Sequence, residues 1–133
     1  MNREDLDKNF ALHESLRWAK ESRESLRRKA GVQSPNLDGM PHGTGVSDKT
    51  GNFAVLMADL STTIDCLEKE VALNDSRIRE FSNSLKDVRL QVAIPLRFIQ
   101  CLSWAEVADI LGYGVSEDTI RKLYYATVPR GDL

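Results

Sequence analysis

The decisive stretch for the fold is residues 53–88, which read FAVLMADLSTTIDCLEKEVALNDSRIREFSNSLKDV. From Phe53 to Val88 its apolar residues recur at alternating spacings of four and three, and Asn74 is the single polar interruption. This is the heptad period of a coiled-coil helix, about 54 Å long at about 1.5 Å per residue. A lone Asn in such a seam can fix register at some cost in stability. The pattern predicts a long coiled-coil helix over residues 53–90.

A seam of this length needs a covering partner, because exposing a continuous apolar stripe to water is unfavourable. β-Branched residues at three a positions, with Leu at two d positions, favour two strands, so we predict a homodimer. The alternative is that the seam packs on the N-terminal helix of the same chain; since that helix is shorter, both arrangements are compatible. The predicted dimer interface consists of Met57, Leu60, Ile64, Leu67, Val71, Asn74, Ile78, Phe81 and Leu85.

The segments before this helix differ sharply in composition. Residues 1–31 carry apolar side chains at helical spacing among many charges and end at Gly31, which predicts a charged helix packed on the long one. Residues 32–52 are rich in Gly and Pro and keep no apolar period, which predicts a linker. Its glycine-rich part is not a phosphate-binding loop, because no Gly-Lys-Ser/Thr follows.

The residues after the long helix read as a helix-turn-helix domain over 91–133. Pro95 predicts a kink or break that separates this domain from the long helix. Ser103 and Glu106 form a capping box, and Gly112 ends the short helix that follows. Ser116 caps a second helix. Two short capped helices joined by a Gly-containing turn are typical of this motif. The side chains of the second helix expected to point inward are Ile120, Leu123 and Tyr124.

The exposed side of that second helix is the candidate DNA-binding surface, because the second helix of such a motif enters the major groove. Arg121 can pair with guanine, and Ser116 and Thr119 can donate to phosphate. Glu117 and Asp118 repel phosphate but suit a helix N-terminus. The predicted DNA-binding residues are Ser116, Glu117, Asp118, Thr119, Arg121, Lys122 and Tyr125.

Composition limits the other functions. A net charge of −2 is not that of a strong nucleic-acid binder, so DNA binding has to be local and helped by dimerisation. His13 and His42 lack a nearby nucleophile or paired carboxylate, so we expect no enzyme, cofactor or metal. Cys66 and Cys101 have no zinc-ligand spacing and are expected to be reduced, buried thiols. With no signal peptide and no apolar run of about 20 residues, we expect a cytoplasmic protein without membrane contact.

The C-terminal residues resemble a known family. Leu96-Arg97-Phe98-Ile99, the run from Leu102 to Ala108, and Leu111-Gly112-Tyr113 are similar to region four of the sigma-70 factors. From about residue 34 to 127 the chain resembles small phage and prophage regulators of late-gene and autolysin transcription that carry such a region-four-like unit. The resemblance implies an all-helical fold and binding to promoter DNA or polymerase.

Three functional hypotheses follow. The first is a transcriptional regulator of phage or prophage origin that dimerises by its coiled coil and binds double-stranded DNA. The second is an interaction module that binds RNA polymerase or another protein. The third is the DNA-recognition subunit of a phage packaging machine, which a ring-shaped oligomer would favour. For all three the expected fold class is all-α.

Overall fold

The described part of the chain is mostly helical in the computed structural model, which describes residues 1–33 and 44–131 and the side chains of residues 1–29 and 52–131. The described residues contain no strand, which confirms the predicted all-α class. None of the described helices is both long and apolar enough to cross a membrane. The helices are α1 (Arg3–Gln33), α2 (Thr44–Ser84), α3 (Val88–Phe98), α4 (Trp104–Leu111) and α5 (Glu117–Thr127).

The long helix α2 is shifted relative to its predicted bounds of 53–90. It begins at Thr44, so it includes the end of the predicted linker, and residues 34–43 of that linker lie outside the described residues. Gly45 and Gly51 each cost about 1 kcal/mol within a helix, which is too little to end one of this length. Because α2 ends at Ser84, Leu85 of the predicted dimer interface lies beyond it.

The break between helices lies at Leu85–Asp87 and not at Pro95. Asp87 caps α3, because its extended backbone lets the Oδ1 atom accept from the Arg89 amide at 2.8 Å. Pro95 lies inside α3 and removes one backbone hydrogen bond. That cost is offset by packing, since α3 buries four side chains: Leu90, Ala93, Ile94 and Phe98.

Two compact units divide the chain, and they cut across the predicted segments. Unit 1 combines Met1–Glu14 with Glu70–Leu133, and unit 2 is Ser15–Lys69. In unit 1, Leu6 of α1 and Ile78 of α2 are fully buried in one core with the side chains of α3, α4 and α5. The C-terminal domain predicted over 91–133 therefore shares its core with the start of α1 and the end of α2, because its own three short helices leave an apolar side that these residues cover.

Unit 2 consists of parts of α1 and α2 lying side by side. Lys20 Nζ and Glu68 Oε2 are 3.1 Å apart. At about 1.5 Å per residue, Gln33 is about 20 Å from Lys20 and Thr44 about 36 Å from Glu68. In a parallel arrangement these two distances would add, and their sum exceeds the length of about 36 Å that residues 34–43 can span at most. The two helices must therefore run antiparallel. Among its described side chains only Ala19 and Ile64 are buried. The prediction that Cys66 is buried is wrong, since its side chain is exposed on α2.

Candidate nucleic-acid interface

The three C-terminal helices pack on one another, with each in contact with the other two. Local hydrogen bonds fix where the last two begin. The predicted capping box is confirmed: the Glu106 amide donates to Ser103 Oγ at 3.1 Å, and the Ser103 amide donates to Glu106 Oε1 at 3.2 Å. The predicted cap of α5 is also confirmed, since Ser116 Oγ accepts from the Thr119 amide at 3.1 Å.

The turn between α4 and α5 contains three successive residues with positive φ. They are Gly112 at 63°, Tyr113 at 49° and Gly114 at 78°. A left-handed conformation costs a residue with a Cβ roughly 1–2 kcal/mol, so Tyr113 is the strained member. Its side chain is fully exposed. The turn thus places an aromatic side chain in solvent directly before the candidate recognition helix.

An aromatic cluster holds α5 in place from behind. The Tyr124 ring lies 5.5 Å from Phe98 and 5.1 Å from Trp104, centroid to centroid. Ile120 is fully buried beside them, and Leu123 is half-buried at the edge. Burial raises the pKa of the Tyr124 hydroxyl above its usual value, and this hydroxyl makes no hydrogen bond to the described residues. Ile120 and Tyr124 therefore point inward as predicted.

The predicted DNA-binding residues lie on the outward side of α5 and at its N-cap, Ser116. Arg121 is half-buried, and the others are exposed. Lys122 forms no ion pair with any residue that the structure describes. These side chains lie where a partner could reach them. The predicted DNA-binding residues in this set are Ser116, Glu117, Asp118, Thr119, Arg121, Lys122 and Tyr125.

Several of these side chains already have partners on the same helix. The Arg121 guanidinium is ion-paired with Glu117 one turn earlier. The Ser116 and Thr119 hydroxyl oxygens are 2.8 Å apart, with Ser116 also serving as the cap. A partner that uses Arg121 must compete with Glu117.

The start of α1 packs against the end of α5, which sequence reasoning missed. The Arg3 amide donates to the Pro129 carbonyl at 2.8 Å, and the Arg3 guanidinium lies 5.0 Å from the Tyr125 ring centroid. A cation over an aromatic face is stabilising. No local pattern could indicate this contact, because its partners lie at opposite ends of the chain.

Arg97 was part of the family resemblance but had no predicted role. Its guanidinium lies 4.5 Å from the Phe10 centroid and 5.5 Å from the Trp104 centroid, and it donates to the Leu102 carbonyl at 2.8 Å. Arg97 therefore ties α1, α3 and the start of α4 together.

A polar cluster joins α1, α2 and α3 inside unit 1. Asn9 is fully buried, and its Nδ2 donates to Asp75 Oδ1 at 2.9 Å and to the Phe98 carbonyl at 3.0 Å. His13 Nε2 lies 2.9 Å from the same Asp75 oxygen. Within the described part of the chain, no group of three or more His, Cys, Asp or Glu side chains could hold a metal ion. The cluster serves to position helices.

The predicted dimer seam is partly covered within the single chain. Three of its a positions, Ile64, Val71 and Ile78, are buried without any second molecule. This burial matches the alternative in which the seam packs on the N-terminal helix. The remaining seam residues on α2 are half-buried, and they are Met57, Leu60, Leu67, Asn74 and Phe81.

No model of a known protein family matches the chain, and neither a curated protein nor a solved structure is significantly similar to it.

Proposed function

We propose that this protein is a DNA-binding transcriptional regulator of phage or prophage type, in which α4 and α5 form a helix-turn-helix and α5 reads double-stranded DNA. The observation that carries the proposal is the arrangement of α5. Its inner side is fixed in the core by Ile120 and Tyr124, while its outer side is polar and exposed. A rigid helix with a free polar face is what major-groove readout requires.

The base contacts are assigned to the outer side of α5. Arg121 is the residue that can pair bidentately with guanine O6 and N7, once its ion pair with Glu117 opens. Lys122, exposed and without an ion pair among the described residues, serves as a phosphate contact. Thr119 and Tyr125 can donate hydroxyl hydrogen bonds to the backbone of the duplex.

The test is selection of bound duplexes from a random DNA pool, followed by binding measurements on the preferred site at several salt concentrations. Arg121→Ala is expected to cost about 1–3 kcal/mol of binding free energy at that site and to relax sequence preference there. Lys122→Ala is expected to weaken binding evenly across sequences and to lower the salt slope by about one unit. Absence of any bound duplex at low salt would remove the proposal.

Glu117→Gln provides a sharper variant of the same test. It frees Arg121 and removes a carboxylate that repels phosphate, so non-specific affinity is expected to rise. Glu106→Gln is the matched control for net charge. It makes the same chemical change at the start of α4, where Glu106 has a capping role. If both variants raise affinity equally, the effect comes from net charge and not from Arg121.

A second candidate, an interaction module that binds RNA polymerase, is favoured by two observations. Arg121 is already paired, and the α4 end and the turn expose Ile110 and Tyr113, which are 57% and 104% accessible. Exposed apolar side chains near one another are more typical of protein contacts than of phosphate contacts. Capture of polymerase that is lost on Tyr113→Ser but unaffected by Lys122→Ala would select this candidate.

A further inference from the structure

Unit 2 is a pair of helices that buries few of its side chains. Of its described residues, 15–29 and 52–69, only Ala19 and Ile64 are buried, although both helices carry further large apolar side chains. Trp18 is 70% exposed and Leu56 is 52% exposed. Two helices alone can each bury only one stripe, whereas helical bundles enclose a core among three or four. The two helices of this unit are therefore too few to enclose a core.

Trp18 and Leu56 lie on one edge of the helical pair. Ala19 and Ile64 mark the centre, and the Lys20–Glu68 ion pair marks one edge. At 3.6 residues per turn, Trp18 lies on the opposite side of Ala19 from Lys20. By the same geometry, one α2 stripe lies on the opposite side of Ile64 from Glu68. We call Trp18 and this stripe the apolar edge; the α2 members are Leu56, Leu60 and Leu67.

The charges of the two helices indicate what covers this edge. Residues 15–29 contain six basic and two acidic residues, a net charge of +4. Residues 52–69 contain three acidic residues and one basic residue, a net charge of −2. The chain thus supplies a basic helix and an acidic helix beside one apolar edge, so a second copy can present the opposite charge to each.

We propose that the apolar edge is the dimer interface, where two copies of unit 2 form a four-helix bundle in which α1 of each copy packs against α2 of the other. A two-fold axis parallel to the helices produces this arrangement and makes every neighbouring pair antiparallel. The other two-fold arrangement would place two +4 segments against each other. This deepens the regulator proposal by naming the partner surface, but it does not depend on DNA binding.

This interface differs from a two-stranded coiled coil built on the whole seam. Ile64, Val71 and Ile78 are already buried within one chain, so they cannot also face a second copy without α1 leaving. Leu60 and Leu67 keep part of their surface available. A two-fold axis parallel to the helices keeps each residue at its own level along the bundle. Because Lys20 pairs with Glu68 within each chain, Trp18 of one copy lies near the level of Leu67 of the other copy and packs beside it.

Light scattering coupled to size exclusion tests the oligomeric state of the full chain. The expected mass at micromolar concentration is twice the 15.0 kDa of one chain. Trp18→Lys and Leu56→Lys are expected to give helical monomers, because both side chains are largely exposed in the single chain. The matched control is Val55→Lys, which changes a 60% exposed residue on the side of α2 away from the edge. It is expected to remain dimeric.

Tryptophan fluorescence tests which residue becomes buried. In Trp104→Phe only Trp18 emits, and its emission is expected to shift to the blue as concentration rises through the dimer transition. In Trp18→Phe the emission of Trp104, already buried, is expected to stay constant. Added sodium chloride is expected to weaken the dimer, since screening reduces attraction between helices of opposite charge.

Three results would overturn the proposal: a monomeric wild type, a dimer that persists in Trp18→Lys, or an equal loss of the dimer in Val55→Lys. Strengthening of the dimer by sodium chloride would instead place α1 against α1 and reject the proposed pairing. A wild-type monomer that still binds a selected DNA site would sink this inference and leave the DNA-binding proposal standing. A dimer that binds no DNA would remove the DNA-binding proposal and leave this inference standing.

Discussion

Replacing Leu6 with Ala tests whether the N-terminal helix belongs to the core of the C-terminal helices. Leu6 is fully buried among Ile78, Phe98 and their neighbours. The substitution removes three buried carbons, about 2.4 kcal/mol at about 0.8 kcal/mol each. The cavity left behind adds to this, so the expected loss is about 2–5 kcal/mol of the free energy of unfolding. A domain of this size has only about 5–15 kcal/mol in total, so the change is large.

The assay is urea unfolding followed by Trp104 fluorescence in a Trp18→Phe background, so that the emission reports the C-terminal core alone. Leu73→Ala is the matched control, because it makes the same chemical change on a helix at a side chain that is 54% exposed. Its expected effect is within about 0.5 kcal/mol. If Leu6→Ala also changes stability by less than about 1 kcal/mol, or leaves the Trp104 transition in place, the shared core is refuted.

Two further predictions concern helix ends. Asp87→Ala is expected to cost about 1 kcal/mol through loss of the α3 cap, whereas Asp87→Asn retains most of it. The hydrogen bond from Arg89 holds the pKa of Asp87 below its usual 3.8, so the stabilisation is full above that pH and disappears as the pH falls through the lower folded value. Urea titrations across acid pH should show wild type and Asp87→Asn converging there; a constant gap would contradict this. Tyr113→Gly is expected to raise stability by up to about 1 kcal/mol, since relief of left-handed strain exceeds the added freedom of the unfolded chain. Thermal melting should show no such gain for Tyr113→Ala, and equal melting of the two variants would argue against strain.

The candidate interface could be predicted from sequence where its causes are local. Ser103 with Glu106, and Ser116 with the amide three residues later, are contacts within one helical turn, so spacing alone indicates them. The inward positions of Ile120 and Tyr124 follow from helical period in the same way. The ion pair between Arg121 and Glu117 could also be predicted from the sequence, since residues four apart on a helix are neighbours.

Sequence alone indicated the all-helical class, the residues at which α4 and α5 begin, and the apolar side of the long helix. These properties depend on caps and periodicity, whose interactions span a few residues. What covers each apolar side depends on how the whole chain folds. The heptad pattern is the same whether Ile64 and Ile78 meet α1 or a second chain, and only the folded chain shows them already buried. It also decided that Leu6 and Arg3 belong with α5, because contacts between the two ends of a chain leave no periodic trace in either end.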